Sequence, residues 1–157
     1  MTAGHYRRSI RLAGYDYGSP GAYFVTICTH ERRMLLEDEK GSEIVKTMWQ
    51  EIPRHFPIAD VDEFVVMPNH VHGIVLLLNQ DARAVVAQHA APLRLAKLMP
   101  GSLGVIVRSF KSSVTNGLHH EGLASGAVWQ RNYYERVVRS DAELNRIRSY
   151  IMDNPAK

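Results

Sequence analysis

Val61-Asp62-Glu63-Phe64-Val65-Val66-Met67-Pro68-Asn69-His70-Val71-His72-Gly73-Ile74-Val75-Leu76-Leu77-Leu78 reads as two strands broken by a two-residue turn. Val61 to Met67 is rich in β-branched and aromatic residues, Pro68-Asn69 is turn chemistry, and His70 to Leu78 is a short, nearly continuous apolar run. Together they predict a β-hairpin whose second strand is buried on both faces. In a strand, residues i and i+2 share a face, so His70 and His72 project together while Val71 points away. Two neutral imidazoles side by side can hold a divalent cation and leave its other positions to water and substrate. Hydrogen bonds from the same pair to backbone or water are the alternative, since a buried ring without a partner costs roughly 1–3 kcal/mol.

Working outward, Ala22 to Thr29 reads as a strand before this hairpin, and a helix fits Gly41 to Ile52. Ile44, Val45, Met48, Trp49 and Ile52 form its apolar stripe, and Pro53 is expected to close it. Residues 79 to 100 read as a loop with some helical tendency. Ser102 can cap a second helix with Leu103, Ile106, Phe110 and Val114 on its buried stripe and Arg108, Lys111 and Thr115 on another face. Val128 to Val138 reads as a fourth strand. Ser140-Asp141-Ala142-Glu143 is a capping box that opens a last helix through Asp153. The order β-α-β-β-α-β-α predicts an α+β fold of ferredoxin-like (RRM-like) plan, with an antiparallel sheet, two helices on one face and an added C-terminal helix.

The chain has 157 residues, 45% apolar and 22% charged, with 19 Lys and Arg against 16 Asp and Glu. That is the composition of one globular domain, large enough to bury about 70% of its unfolded surface. Residues 1–157 are therefore read as a single domain with a basic N-terminal arm at about 1–20, carrying Arg7, Arg8 and Arg11. The mild positive charge permits a nucleic-acid partner without requiring one. One cysteine, Cys28, excludes an intrachain disulfide and fits a reducing compartment. No secretory h-region or membrane-length apolar run is present, so a soluble, cytoplasmic protein without a membrane partner is expected.

The last helix adds Arg146, Tyr150 and Asn154 along one line at i, i+4 and i+8, beside an apolar stripe of Leu144, Ile147 and Ile151. A phenol ionises near pH 10, so a nucleophilic tyrosine needs a cation to stabilise its phenolate, and Arg146 or a metal can serve. Asn154 offers a carbonyl oxygen as a further metal ligand. In the structural alternative Tyr150 borders the core with its hydroxyl in water and Asn154 caps the helix.

Several segments occur together in order: Arg11-Leu12 with Gly14-Tyr15-Asp16-Tyr17, Tyr23-Phe24-Val25-Thr26, Met67-Pro68-Asn69-His70-Val71-His72-Gly73, Ser109-Phe110-Lys111-Ser112, Trp129-Gln130-Arg131-Asn132-Tyr133-Tyr134-Glu135-Arg136, and Tyr150-Ile151 leading to Asn154-Pro155. In these the chain resembles the single-tyrosine HUH (His–hydrophobe–His) transposases, IS200-like enzymes, and among them the REP-associated tyrosine transposases of bacteria. The resemblance implies that His70 and His72 hold Mg²⁺ or Mn²⁺ with Asn154 as a further ligand, and that Tyr150 is the nucleophile. It also implies a single-stranded DNA substrate beside a hairpin such as a repetitive extragenic palindrome (REP), cut and joined through a 5′-phosphotyrosine. No small-molecule cofactor is expected. A monomer or a homodimer fits, the short link from the fourth strand to the last helix favouring a tyrosine supplied in cis. The sequence ends at Lys157, two residues past the Asn-Pro, where many relatives continue.

Around that centre, Arg7, Arg8, Arg11, Arg108 and Lys111 are candidate phosphate contacts, and Tyr133 and Tyr134 are expected on opposite faces of the fourth strand, one in the core and the other stacking a base. Glu135 reads as a solvated charge, with a partner that orients a histidine as the alternative, and His30, His55, His89, His119 and His120 read as surface or structural residues. The rival class is a non-catalytic single-stranded nucleic-acid-binding module on the same sheet. Divalent metal binding that vanishes with His70→Ala separates the two.

Overall fold

The fold is that of a computed structural model describing residues 20–78 and 102–154. The basic arm with Arg7, Arg8 and Arg11, the stretch read as an irregular loop, and His89 lie outside the described residues. Four strands form one antiparallel sheet: β1 (Gly21–Cys28), β2 (Ala59–Met67), β3 (His70–Leu77) and β4 (Tyr134–Val138), in the order β2-β3-β1-β4. Among the described residues, four helices accompany them: α1 (Glu39–Gln50), α2 (Ile52–His55), α3 (Leu103–His120) and α4 (Asp141–Asp153). The β-α-β-β-α-β-α expectation is met, with the short α2 added.

Strand alternation divides the sheet into two faces. Tyr23, Val25 and Ile27 of β1 are buried and paired in register with Val75, Gly73 and Val71 of β3. They pack in one cluster with Val45 and Trp49 of α1 and Ile106, Phe110 and Val114 of α3. Gly73 is required there: a Cβ at this position would sit 2.3 Å from Cζ2 of Trp49. Phe24, Thr26 and Cys28 belong to the other face, aligned with Ile74, His72 and His70. That face carries α4. Ile74 and Ile151 are both buried and both stand outside the cluster beneath α1 and α3, so α4 is the cover for Ile74.

Three boundaries depart from expectation for local reasons. Helix α1 starts at Glu39 because the Asp38 carboxylate accepts from the amides of Lys40 and Gly41 at 2.9 and 3.2 Å. Pro53 does not close a helix; it sits in the first turn of α2, where its missing N–H leaves no bond unmade. Strand β4 starts only at Tyr134. Residues 128–130 do follow β1, with His30 N bonding Val128 O and Gln130 N bonding Cys28 O. The Lys111 ammonium then donates to the carbonyls of Gln130 (2.9 Å) and Asn132 (3.4 Å), drawing this segment off the ladder.

Candidate functional site

His70 and His72 stand side by side on the α4 face, ring centroids 4.6 Å apart. Each uses its Nδ1 within the protein. With the proton on Nδ1, His70 donates to Asn69 Oδ1 at 2.7 Å and His72 donates to Thr26 Oγ1 at 2.8 Å. In this tautomer both Nε2 atoms keep a lone pair, the form a metal ligand needs. Burial lowers the pKa of both rings, His72 to about 4 with a further push from neighbouring His70, and His70 with a further push from Arg32. Both are therefore neutral near pH 7. Arg32 stands beside them on a 3-10 turn (His30–Arg32) in which Glu31 and Arg32 take positive φ, 54° and 56°.

Helix α4 brings Tyr150 to this pair. Its ring centroid is 5.5 Å from that of His72 and 6.3 Å from that of Phe24, and Phe24 is stacked on His72 at 5.5 Å. Tyr150 remains 48% exposed, open to a substrate from solvent. Two contacts hold the helix in place. Arg148 donates from Nε to both carboxylate oxygens of Asp62 at 3.1 Å and pairs with it again through Nη2. Asp62 lies at a register break in β2, and the Arg148 hydrogen bond holds its pKa below the usual carboxylate range. At the other end, Ser140 Oγ accepts from Glu143 N, as a capping box requires. The Glu143 carboxylate, however, accepts from Arg139 N at 2.9 Å and pairs with Arg136 of β4 at 2.7 Å, tying α4 to the edge strand.

A cavity of about 350 Å³ opens beside Tyr150, lined by Phe24, Arg136, Glu143, Arg146, Ile147 and Tyr150. Arg146 thus shares the tyrosine's cavity. Asn154 is the C-cap of α4, one turn past Tyr150, and its Nδ2 is buried with no hydrogen-bond partner among the described residues. An amide turned by 180° puts its carbonyl oxygen at that site, the atom a metal would use. Among the described residues no three His, Cys, Asp or Glu side chains gather as a metal site. Two neutral imidazoles side by side could hold a divalent cation whose other positions go to amide, water or phosphate oxygens.

The other candidates fall elsewhere. Tyr134 is paired with Thr26 and so stands on the histidine face, 37% exposed. Tyr133, Arg108 and Lys111 line a separate groove near the start of α3. Glu135 is not solvated: both its carboxylate oxygens are buried, and it pairs in register with core residue Val25. His30, His55 and His119 serve local contacts with Glu31, Glu51 and the Gly126 carbonyl. Phe24, Thr26, Arg136 and Asp62 were not singled out by sequence reasoning. Alternation along β1 was the available signal for the first two, since it sends both to the face that holds His70 and His72.

The family model described as "Transposase IS200 like" matches residues 20–154. An uncharacterized protein of Haemophilus influenzae is 39% identical over 96% of this chain and 89% of its own length. A second protein of that organism, provisionally named a REP-associated tyrosine transposase, is 22% identical over 90% of this chain and 74% of its own. Among solved structures, a REP-associated tyrosine transposase bound to a REP hairpin superposes with a TM-score of 0.65 at 20% identity, covering 94% of this chain and 73% of that one. No helix among the described residues is long and apolar enough to cross a membrane.

Proposed function

The chain belongs to the IS200-like transposases, enzymes of the single-tyrosine HUH type, and from that premise we propose that it cuts and rejoins single-stranded DNA beside REP-type hairpins, with Tyr150 as nucleophile. The observation that carries the reading is the approach of Tyr150 to His72, at 5.5 Å between ring centroids, in its own chain. A solved REP-associated tyrosine transposase of similar fold is bound to a REP hairpin, which supports the same class of DNA here.

His70 and His72 would hold a Mg²⁺ or Mn²⁺ ion through Nε2, with Asn154 as a further ligand. When bound, such an ion draws charge from a non-bridging phosphate oxygen and stabilises the pentacoordinate transition state. The residues supply the rest. Thr26 and Asn69 fix the two rings, and Phe24 stacks on His72. The Tyr150 oxygen attacks phosphorus in line. The new bond is Tyr150 Oη–P; the bond that breaks is P–O3′. The phenol proton passes to solvent and the departing 3′-oxygen takes one up, giving a 5′-phosphotyrosine and a free 3′-hydroxyl. The phosphodiester's energy is kept in the tyrosyl ester, so a second 3′-hydroxyl can displace Tyr150 and join strands without ATP. Arg146, in the same cavity, stabilises the phenolate. The whole chain is read as one domain acting in cis, with Arg7, Arg8 and Arg11 as an electrostatic arm.

The test uses labelled hairpins with short 5′ and 3′ flanks, incubated with Mn²⁺ or with EDTA and run on denaturing gels. A metal-dependent protein–DNA adduct lost in Tyr150→Phe is the expected result. An adduct that survives this change overturns the assignment of Tyr150. Tight binding with no adduct at any flank length overturns the catalytic reading in favour of a binding module.

A further inference from the structure

Away from the tyrosine face, a groove of about 410 Å³ lies where the chain leaves the β1 ladder at Gln130 and re-enters it at Tyr134. Arg108 and Lys111 of α3 line it from one side; Arg131, Asn132 and Tyr133 line it from the other, with no carboxylate among the described lining residues. The three cations have different roles. The Lys111 ammonium is engaged by the carbonyls of Gln130 and Asn132 and lies over the Tyr133 ring, 5.7 Å from its centroid. It holds the loop in shape. Arg108 and Arg131 are exposed, and neither has a hydrogen-bond or ion-pair partner among the described residues. Two exposed arginines sharing a groove with the partly buried Tyr133 ring, in a space near the lower end of small-ligand sites (roughly 300–1,000 Å³), match one nucleotide rather than a duplex.

The groove is also next to the chemistry. β4 is an edge strand, and Tyr134 stands on the histidine face beside Thr26. Tyr133, its neighbour, lines the groove, so one dipeptide borders both surfaces.

We propose that this groove is a second DNA subsite that takes one nucleotide of the single strand flanking the hairpin, its phosphate on Arg108 and Arg131 and its base against Tyr133. The proposal rests on reading the chain as a DNA-processing enzyme and adds where the flank is held.

The experiment compares the parent with Arg108→Ala/Arg131→Ala, and with a control, Lys46→Ala/Arg54→Ala, that removes equal charge from α1 and α2. Kd is measured by fluorescence anisotropy for a hairpin with flanks and for the same hairpin trimmed of them, across a salt series. Adduct yield at saturating DNA is scored in parallel. Expected is about tenfold weaker binding of the flanked hairpin by Arg108→Ala/Arg131→Ala, with a salt slope reduced by about 0.7 for one lost single-strand phosphate contact. The control, and binding of the trimmed hairpin by the variant, are expected unchanged. One abasic position in the flank should weaken parent binding roughly 5- to 150-fold, the range of one lost stacked base. Equal losses in control and variant, or a loss that persists on the trimmed hairpin, overturn the subsite. An adductless parent overturns the catalytic reading instead, and the Kd comparison still decides the groove.

Discussion

Replacing Thr26 by valine tests the candidate metal site without touching a ligand. The β-branched shape suited to a strand is kept, and what disappears is the hydroxyl that accepts from His72 Nδ1 at 2.8 Å. His72 is 8% exposed, so water cannot readily replace that acceptor. An unmet buried N–H costs roughly 1–3 kcal/mol. The ring escapes the cost by turning, or by moving its proton to Nε2, and either change spoils the ligand atom. At 1.4 kcal/mol per tenfold, the penalty corresponds to roughly a 5- to 150-fold loss of metal affinity. Loss of the outer partner of a metal-bound histidine typically costs 10- to 100-fold, in the same range. Mn²⁺ titration by calorimetry on the parent, Thr26→Val and Thr26→Ser is the assay, with urea unfolding to confirm folded protein. The serine keeps the hydroxyl and is expected to bind within about threefold of the parent. A folded Thr26→Val protein that binds Mn²⁺ as the parent does would refute the claim that Thr26 sets the His72 tautomer.

Gly73→Ala drives a Cβ into Trp49, whose ring is held between Phe64 and Phe110 at centroid distances of 5.6 and 5.4 Å. An overpacking loss of about 1–3 kcal/mol is expected, lowering Tm by roughly 2–4 °C per kcal/mol, and adding Trp49→Phe should cost less than the sum of the single changes. Additive losses would mean that the clash is relieved elsewhere. Burial holds the folded-state pKa of His72 at about 4, below its ordinary 6.5, so the unfolded chain takes up the proton first. Stability is then full above pH 6.5 and falls toward pH 4, by on the order of 3 kcal/mol, and urea midpoints for His72→Gln should show a flatter profile across that window. Asp62, also lowered, acts in a separate and more acid window, its contribution present above pH 3.8 and lost as pH drops through its folded value. Mixing His72→Ala with Tyr150→Phe tests cis action: no adduct should reappear, whereas recovery would show that the tyrosine crosses between subunits.

The order of strands and helices was legible because each element carries its own period. Ile44, Val45, Met48 and Trp49 mark α1, and Leu103, Ile106, Phe110 and Val114 mark α3, without reference to the rest of the chain. Boundaries set by side-chain capture were less legible. Asp38 could have been read as the α1 cap, but the late start of β4 depends on Lys111, 19 residues from Gln130. Within the site, His70, His72 and Tyr150 stood out by residue type and spacing. Thr26 and Phe24 carry no such mark, because a threonine or phenylalanine in a strand normally packs or faces water. The Arg148–Asp62 pair joins residues 86 apart in sequence, and a register break that turns Asp62 toward α4 has no sequence signature.

The apolar run of β3 conceals the division of labour on which the site depends. Val71, Val75 and Leu77 belong to the core under α1 and α3, whereas Ile74 shares its face with His70 and His72. Burying Ile74 and His72 while leaving His70 partly exposed requires a cover that ends partway along the strand. Helix α4 provides it. Ile151 is buried and Tyr150, one residue earlier, is half exposed, as a helical step of about 100° between neighbours demands. Burial of one such isoleucine stabilises by roughly 1.5–3 kcal/mol, so the packing that seats Ile151 also sets where Tyr150 stands. Arg148 on Asp62 fixes the helix along β2, and Glu143 on Arg136 fixes its start against β4. With three anchors on one chain, the tyrosine reaches His72 before any substrate arrives, and the ordering cost of that approach is met by folding rather than by DNA binding.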